Sequence, residues 1–237
     1  DDLLIGFRRR DGLPAPGKDL PGWYGKDVYS TFGQWLSGMA RMYKATGDQA
    51  ILDKANRLMT GWGKAIGSDG YFYYSRQPGT PHYIYDKIVC GLVDLYHFGG
   101  QKEASPLLER ITDWASKNLD RSRKNPTYAD PSAGGTEWYT LSENLYRAYR
   151  YTGNPKYKEF GDLWRYPHYW DMFNDGVVPA PYGFHAYSHV NTLSSAAMTS
   201  EVTGDERYLK IIKNAYDWFV RTQFYAKGDF GPEERLQ

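Results

Sequence analysis

The side chains best suited to holding a polar ligand gather in residues 181–209, PYGFHAYSHVNTLSSAAMTSEVTGDERYL. His185, Tyr187, His189 and Asn191 fall there within seven residues and together offer imidazole, phenol and amide groups. His185 and His189 stand four apart, the spacing that puts two rings on one helix face. That pair can meet a polar ligand or a metal. No third metal ligand is evident nearby, and an H-x-x-x-H pattern alone is weak. Gln34 beside Trp35, Asp86 beside Tyr85, and Glu143 in LSENLYRAY each fall near the start of a helix that follows a long loop. Glu143 has two readings, a bond to loop backbone or contact with a ligand. Asp86 is similar, because a first-turn acid also stabilises the helix dipole. His168 in RYPHYW reads as a packed loop histidine and His97 as a helix-end cap.

These residues need a scaffold, and a repeat supplies it. Thr46-Gly47-Asp48, Thr152-Gly153-Asn154 and Thr203-Gly204-Asp205 each separate two apolar-periodic runs, and Phe98-Gly99-Gly100 reads as a degenerate copy. Glycines 47, 99, 153 and 204 are then 52, 54 and 51 residues apart, the signature of one repeated supersecondary unit. Glycine ends the first helix in a left-handed conformation, and the Asp or Asn after it caps the second. Pro155 fits the first helical position. The pattern predicts four helical hairpins, at roughly 30–62, 83–119, 136–170 and 185–225. The fold class expected is all-α, with residues 1–237 as a single domain.

Within hairpins the connections are tight; between them they are long, aromatic and rich in Gly and Pro. The loop SDGYFYYSRQPGT reads as a short β-hairpin or a rim loop, and RSRKNPTYADPSAGG as a second long loop. In a toroid of hairpins all the long loops lie at one end, where binding residues usually sit. Gln34, Asp86, Glu143 and His185 are expected to converge there. Trp35, Leu36, Met39, Met42 and Tyr43 share helical spacing, and Gly33, Ser37, Gly38 and Ala40 thin that helix for close packing. Leu3, Leu4 and Phe7 read as the end of an earlier helix, before a stretch too rich in Pro and Gly for regular structure.

Composition narrows the classes. With 29 basic and 28 acidic residues the net charge is +1, so nothing points to nucleic acid or an anionic membrane. No run approaches the ~18 apolar residues that span a bilayer. Cys90 is the single cysteine, which excludes an intrachain disulfide and a cysteine metal cluster within this chain, and it reads as a buried small hydrophobe. Tyr, Trp and Phe make up 17% of residues, and many fall in loops and helix starts, where aromatic platforms suit the C–H faces of sugar rings.

DDLLIGFRRRDGLPAPG, GWYG, FGQWLSGMARMYKATGD, YDKIVCGLVDLY, LSENLYRAYRYTGN and HAYSHVNTLSSAAMTSEVTGDERYL together resemble the catalytic domain of glycoside hydrolase family 127, the β-L-arabinofuranosidase-like proteins. The resemblance covers nearly the whole chain. It implies an (α/α)6 barrel that hydrolyses a furanoside, β-L-arabinofuranoside-like, from plant-derived glycans, in a secreted or periplasmic setting. Such a barrel needs about six hairpins, so the resemblance also implies a chain truncated at both ends, or a further polypeptide completing the barrel. Family members use a cysteine nucleophile in a zinc site of cysteines and a glutamate, with a separate glutamate as general acid/base. The family's glycine-rich segment resembles Lys227-Gly228-Asp229-Phe230-Gly231-Pro232-Glu233-Glu234, so Glu233 or Glu234 corresponds to the acid/base. The nucleophile and zinc ligands have no counterpart, and Cys90 lies in the wrong region to replace them.

A glycosidase needs two carboxyl groups, or a carboxyl and another nucleophile, across the scissile bond. Glu143 with Glu234 is the candidate pair, with Glu233 as alternate. His185, His189, Tyr187, Asn191, Gln34, Trp35, Tyr85 and Asp86 are the candidate substrate-binding residues, and no metal ligand is expected. Two other readings stand beside hydrolysis: a non-catalytic carbohydrate-binding toroid, and a lyase or epimerase using His and Tyr as acid and base.

Overall fold

The computed structural model describes residues 2–19, 29–125, 136–174 and 184–236. Among these the secondary structure is helical, with one isolated β-bridge, between His185 and Arg235. No described helix is long and apolar enough to cross a membrane. The chain divides into two compact units, Asp1–Leu119 and Asp120–Gln237. The first holds α1 (Ile5–Arg10), α2 (Phe32–Thr46), α3 (Gln49–Gly63), α4 (Pro81–His97) and α5 (Ala104–Asn118). The second holds α6 (Leu141–Thr152), α7 (Pro155–Asp162), α8 (Pro167–Trp170), α9 (Ala186–Thr203) and α10 (Arg207–Thr222). The predicted hairpins are α2–α3, α4–α5, α6–α7 and α9–α10.

Three hinges share one local chemistry. Gly47, Gly153 and Gly204 have φ of 72°, 73° and 73° and donate to Tyr43, Tyr149 and Ser200 carbonyls, each at 2.8 Å. The preceding threonine bonds back to the carbonyl four residues earlier and accepts from the N–H two residues later. Asp48, Asn154 and Asp205 then accept from Ala50, Lys156 and Arg207 N–H at 2.9, 3.1 and 2.9 Å. In the degenerate copy the left-handed residue is Gly100, φ 65°, not Gly99. Gly99 is needed for another reason: a Cβ there would lie 2.8 Å from the Leu95 carbonyl oxygen.

In Asp1–Leu119, α2 and α4 meet backbone to backbone. A Cβ on Gly33 would sit 1.9 Å from Lys87 O, and one on Gly91 would sit 2.5 Å from Gly33 O. Below this contact, buried Asp94 of α4 accepts from Ser37 Oγ at 2.6 Å and Arg41 Nε at 2.7 Å. Gly38 differs from expectation, since it faces open space, and Trp35 and Met42 are exposed; the buried stripe is Phe32, Gly33, Leu36, Ser37 and Ala40. The loop after α3 forms no β-hairpin. Phe72 and Tyr73 are fully buried against Trp114, and Arg10 of α1 donates to Tyr73 O at 3.0 Å. The N-terminal apolar residues Leu4, Ile5 and Phe7 are buried on a 3-10 turn, Asp2–Leu4, and α1.

In Asp120–Gln237, α6 and α9 meet through hydroxyls. A 3-10 turn, Trp138–Thr140, precedes α6. Thr192 Oγ1 donates to Tyr139 O at 2.6 Å and accepts from Trp170 Nε1 at 3.1 Å. Ser195 Oγ donates to Thr140 O at 3.2 Å and accepts from Glu143 N–H at 3.1 Å. The last of these satisfies a first-turn N–H that has no partner within α6. The bonds also explain why α9 is rich in Ser and Thr and poor in large apolar residues.

Candidate functional site

His185 precedes α9 in an extended conformation, φ −61° and ψ 112°, and so lies off the helix face expected for it. Its Nδ1 is 2.9 Å from Ser188 Oγ, which is 2.8 Å from the Tyr139 hydroxyl. Two carboxylates flank the ring. Glu137 Oε1 lies 3.6 Å from Nδ1, and Glu234 Oε2 lies 3.5 Å from Nε2. The Glu137 side chain is largely buried, whereas that of Glu234 is 83% exposed. Tyr187, also exposed, packs edge-on to the His185 ring at 6.0 Å between centroids.

The backbone at this site is strained. Four described non-glycine residues have positive φ, and three are the glutamates here: Glu137 at 55°, Glu233 at 51° and Glu234 at 59°. Each such conformation costs on the order of 1–3 kcal/mol and persists only where surrounding structure imposes it. The imposition is visible. Leu236 N–H donates to Phe184 O at 2.9 Å and Arg235 bridges His185, which pins the C-terminal segment over the start of α9. Gly231 lets it lie that close, since a Cβ there would be 2.7 Å from Ala186 Cβ. At the other carboxylate, Thr140 bonds Glu137 O through both N–H, 3.1 Å, and Oγ1, 3.0 Å.

The other predicted residues fall elsewhere. His189 does not share a ligand with His185. It is fully buried among Tyr139, Tyr166, Tyr169 and Phe184, with Nδ1 2.9 Å from His185 O. Burial, joined by the charge of His185, pushes its imidazole down to about 3. Burial likewise raises the phenols of Tyr139, Tyr166 and Tyr169. Asn191 is half-buried on α9. Glu143 is not brought to His185: its N–H is bonded to Ser195, ten residues along, about 15 Å at the helical rise. Tyr85 is buried and bonds Thr112 Oγ1 at 2.9 Å, and Asp86 is buried beside Lys87 Nζ at 3.0 Å, so both sit in the core instead of on a binding face. Gln34 and Trp35 are exposed and line a cleft of about 460 Å³ with Thr31, Gly38, Met39, Met42 and Tyr83. Tyr83 there donates to Gln34 Oε1 at 3.3 Å. The residue that sequence reading missed is Glu137. It carries no motif, only a position just after Gly134-Gly135 and before a helix start.

The family model for the β-L-arabinofuranosidase GH127 catalytic domain matches residues 1–237. The chain belongs to this family. Among solved structures, this GH127 chain is similar to a GH127 β-L-arabinofuranosidase from Geobacillus stearothermophilus T6, with TM-score 0.70, 15% identity, and cover of 99% of this chain and 42% of that one. It is also similar to the GH127 β-arabinofuranosidase BT3674, with TM-score 0.71, 16% identity, and cover of 99% and 40%. The GH76 α-mannanase BT2949 of Bacteroides thetaiotaomicron follows, with TM-score 0.61, 17% identity, and cover of 88% and 61%. A search of curated proteins gave no match. The likeness shows the fold, helical hairpins of the (α/α)-toroid type. The GH127 chain spans about two fifths of the length of the first two structures.

With one cysteine, Cys90, this GH127 chain does not by itself supply the several cysteines of the zinc site that the family implies. Among the described residues no group of three or more His, Cys, Asp or Glu could hold a metal ion. Cys90, on α4, is near Ser37 Oγ and Asp94 Oδ2, at 3.7 and 3.9 Å.

Proposed function

We propose that this chain carries the acid/base half of a glycoside hydrolase site acting on furanosidic, β-L-arabinofuranoside-like linkages of plant-derived glycans. The observation that carries the reading is the convergence of strained glutamates on His185. Strain of this kind concentrates at functional sites, because a fold retains it only against its own stability. Glu234 is the proton donor and acceptor for the glycosidic oxygen, being exposed where a substrate can reach it. His185 holds the far side of that carboxylate, and the exposed ring of Tyr187 offers a stacking face for the sugar. Family membership and likeness to two arabinofuranosidase structures support the substrate class.

The test is turnover of an aryl β-L-arabinofuranoside by the protein and by Glu234→Gln, Glu233→Gln and Glu143→Gln. Loss of at least 100-fold is expected for Glu234→Gln, with Glu143→Gln close to the parent. Turnover that survives Glu234→Gln and Glu233→Gln but is lost with His185→Ala overturns the assignment and favours a lyase or epimerase.

A further inference from the structure

Three buried polar atoms in one aromatic cluster have no hydrogen-bond partner among the described residues: His189 Nε2 and the hydroxyl oxygens of Tyr166 and Tyr169. All three side chains are fully buried. Their rings pack together. Tyr166 and Tyr169 stack with centroids 5.7 Å apart, and the His189 ring lies 4.9 Å from Tyr169 and 6.1 Å from Tyr166. A buried tyrosine hydroxyl ordinarily finds a partner, because one without a bond carries its full desolvation penalty.

The chemistry of the partner follows from what each atom can do. His189 Nδ1 is 2.9 Å from the His185 carbonyl oxygen, which only accepts, so Nδ1 carries the ring proton. Nε2 of the neutral ring is then a lone pair that needs a donor. Each phenol can both donate and accept. The neighbouring hydroxyls are already engaged. Tyr139 is bonded with Ser188, and Thr192 Oγ1 is held between Tyr139 O and Trp170 Nε1. The cluster is also neutral, since burial pushes the imidazole down to about 3 and raises both phenols. An ion would enter with no counter-charge, and a metal would need a phenolate that burial opposes. A water molecule meets the demand: it donates and accepts, and buried waters typically make about three bonds to polar groups otherwise unsatisfied.

We propose that His189 Nε2 and the hydroxyls of Tyr166 and Tyr169 form a binding site for an internal water, which donates to Nε2 and bonds the two phenols. The site lies directly behind His185. The His185 carbonyl oxygen accepts from both the backbone N–H and Nδ1 of His189, so the water anchors the ring that holds the start of α9. The inference is independent of hydrolytic activity.

The experiment is NMR of the His189 ring in the full chain at neutral pH, by long-range 15N–1H correlation and by NOESY from the ring Cε1–H to water. Nε2 is expected upfield of a free lone pair, at the shift of a nitrogen that accepts a hydrogen bond. A water cross-peak of the same sign as the diagonal is expected with it, the mark of water held through the tumbling of the protein. Both signals should persist in Tyr166→Phe and in Tyr169→Phe, each of which leaves the water two partners. A free Nε2 lone pair in the parent, or no water cross-peak there, overturns the proposal whether or not the variants fold. Loss of the Nε2 shift in one folded tyrosine variant overturns it too, because that hydroxyl would then be the direct donor.

Discussion

In Asp1–Leu119, α2 and α4 touch at Gly33 and Gly91 with no room for a methyl group; in Asp120–Gln237, α6 and α9 are held by Ser188, Thr192 and Ser195 bonding an irregular turn. The first interface is steric, and its buried polar component is an aspartate clamped by Ser37 and Arg41, with Tyr83 bonding Gln34 at the exposed edge. The second is polar and directional. Close packing fixes distance, whereas hydroxyl bonds to named carbonyls fix register and orientation as well. It is beside the second interface that two glutamates, Glu137 and Glu234, are held in strained conformations around a histidine. Directional contacts are what such a site needs, because they define where each carboxyl points.

The contrast can be broken by mutation. Gly33→Ala should be the most damaging, at about 3 kcal/mol or more, since its methyl group meets backbone and α2 must move as a whole. Gly161→Ala in the other unit meets side chains instead of backbone, the Tyr146 ring edge at 3.0 Å and Leu145 Cβ at 3.3 Å, and should cost less in the same urea unfolding series. Thr192→Val comes next. It removes the partner of both Tyr139 O and Trp170 Nε1, for about 2 kcal/mol or more, because two buried groups lose a bond.

Acid should affect the second unit through His189. The unfolded chain takes up a proton there below the ordinary pH of about 6.5, and the folded chain does so only at about 3. The unfolded state thus binds more protons in that window, so this contribution is complete above it and is lost as pH falls through it. Urea melts at pH 7 and 5 should differ by about 2 kcal/mol from this group. His189→Phe should remove that part of the difference; an unchanged difference would mean that the ring is not shielded from solvent. The smallest effects belong to what the units share. Asp48→Ala, Asn154→Ala and Asp205→Ala should each cost about 1 kcal/mol, because the same cap recurs at each hinge.

That recurrence explains what was legible in the sequence. The hinge chemistry is local, so Thr, Gly and Asp or Asn in a row specify it wherever they occur, and four hairpins could be read directly. The degenerate copy was misplaced by one residue because Gly99 and Gly100 adjoin and only geometry separates close approach from left-handed φ. Tyr85, Asp86 and His189 were candidates because of residue type, yet burial turned each toward the core. Phe72 and Tyr73 stand in a loop by composition and fill the core by contact. Glu137 was invisible for the converse reason: its place beside His185 comes from a backbone conformation imposed by α9, some fifty residues away.

The most direct test of the account is a titration of the protein with an L-arabinofuranoside, followed by NMR at the rings of His185, Tyr187 and Trp35. Ligand-dependent shifts at His185 and Tyr187 that disappear in Glu234→Gln are the predicted result. Silence at both, with a shift at the Trp35 indole, would place recognition in the α2 cleft and contradict the assignment of the site to the strained glutamates around His185.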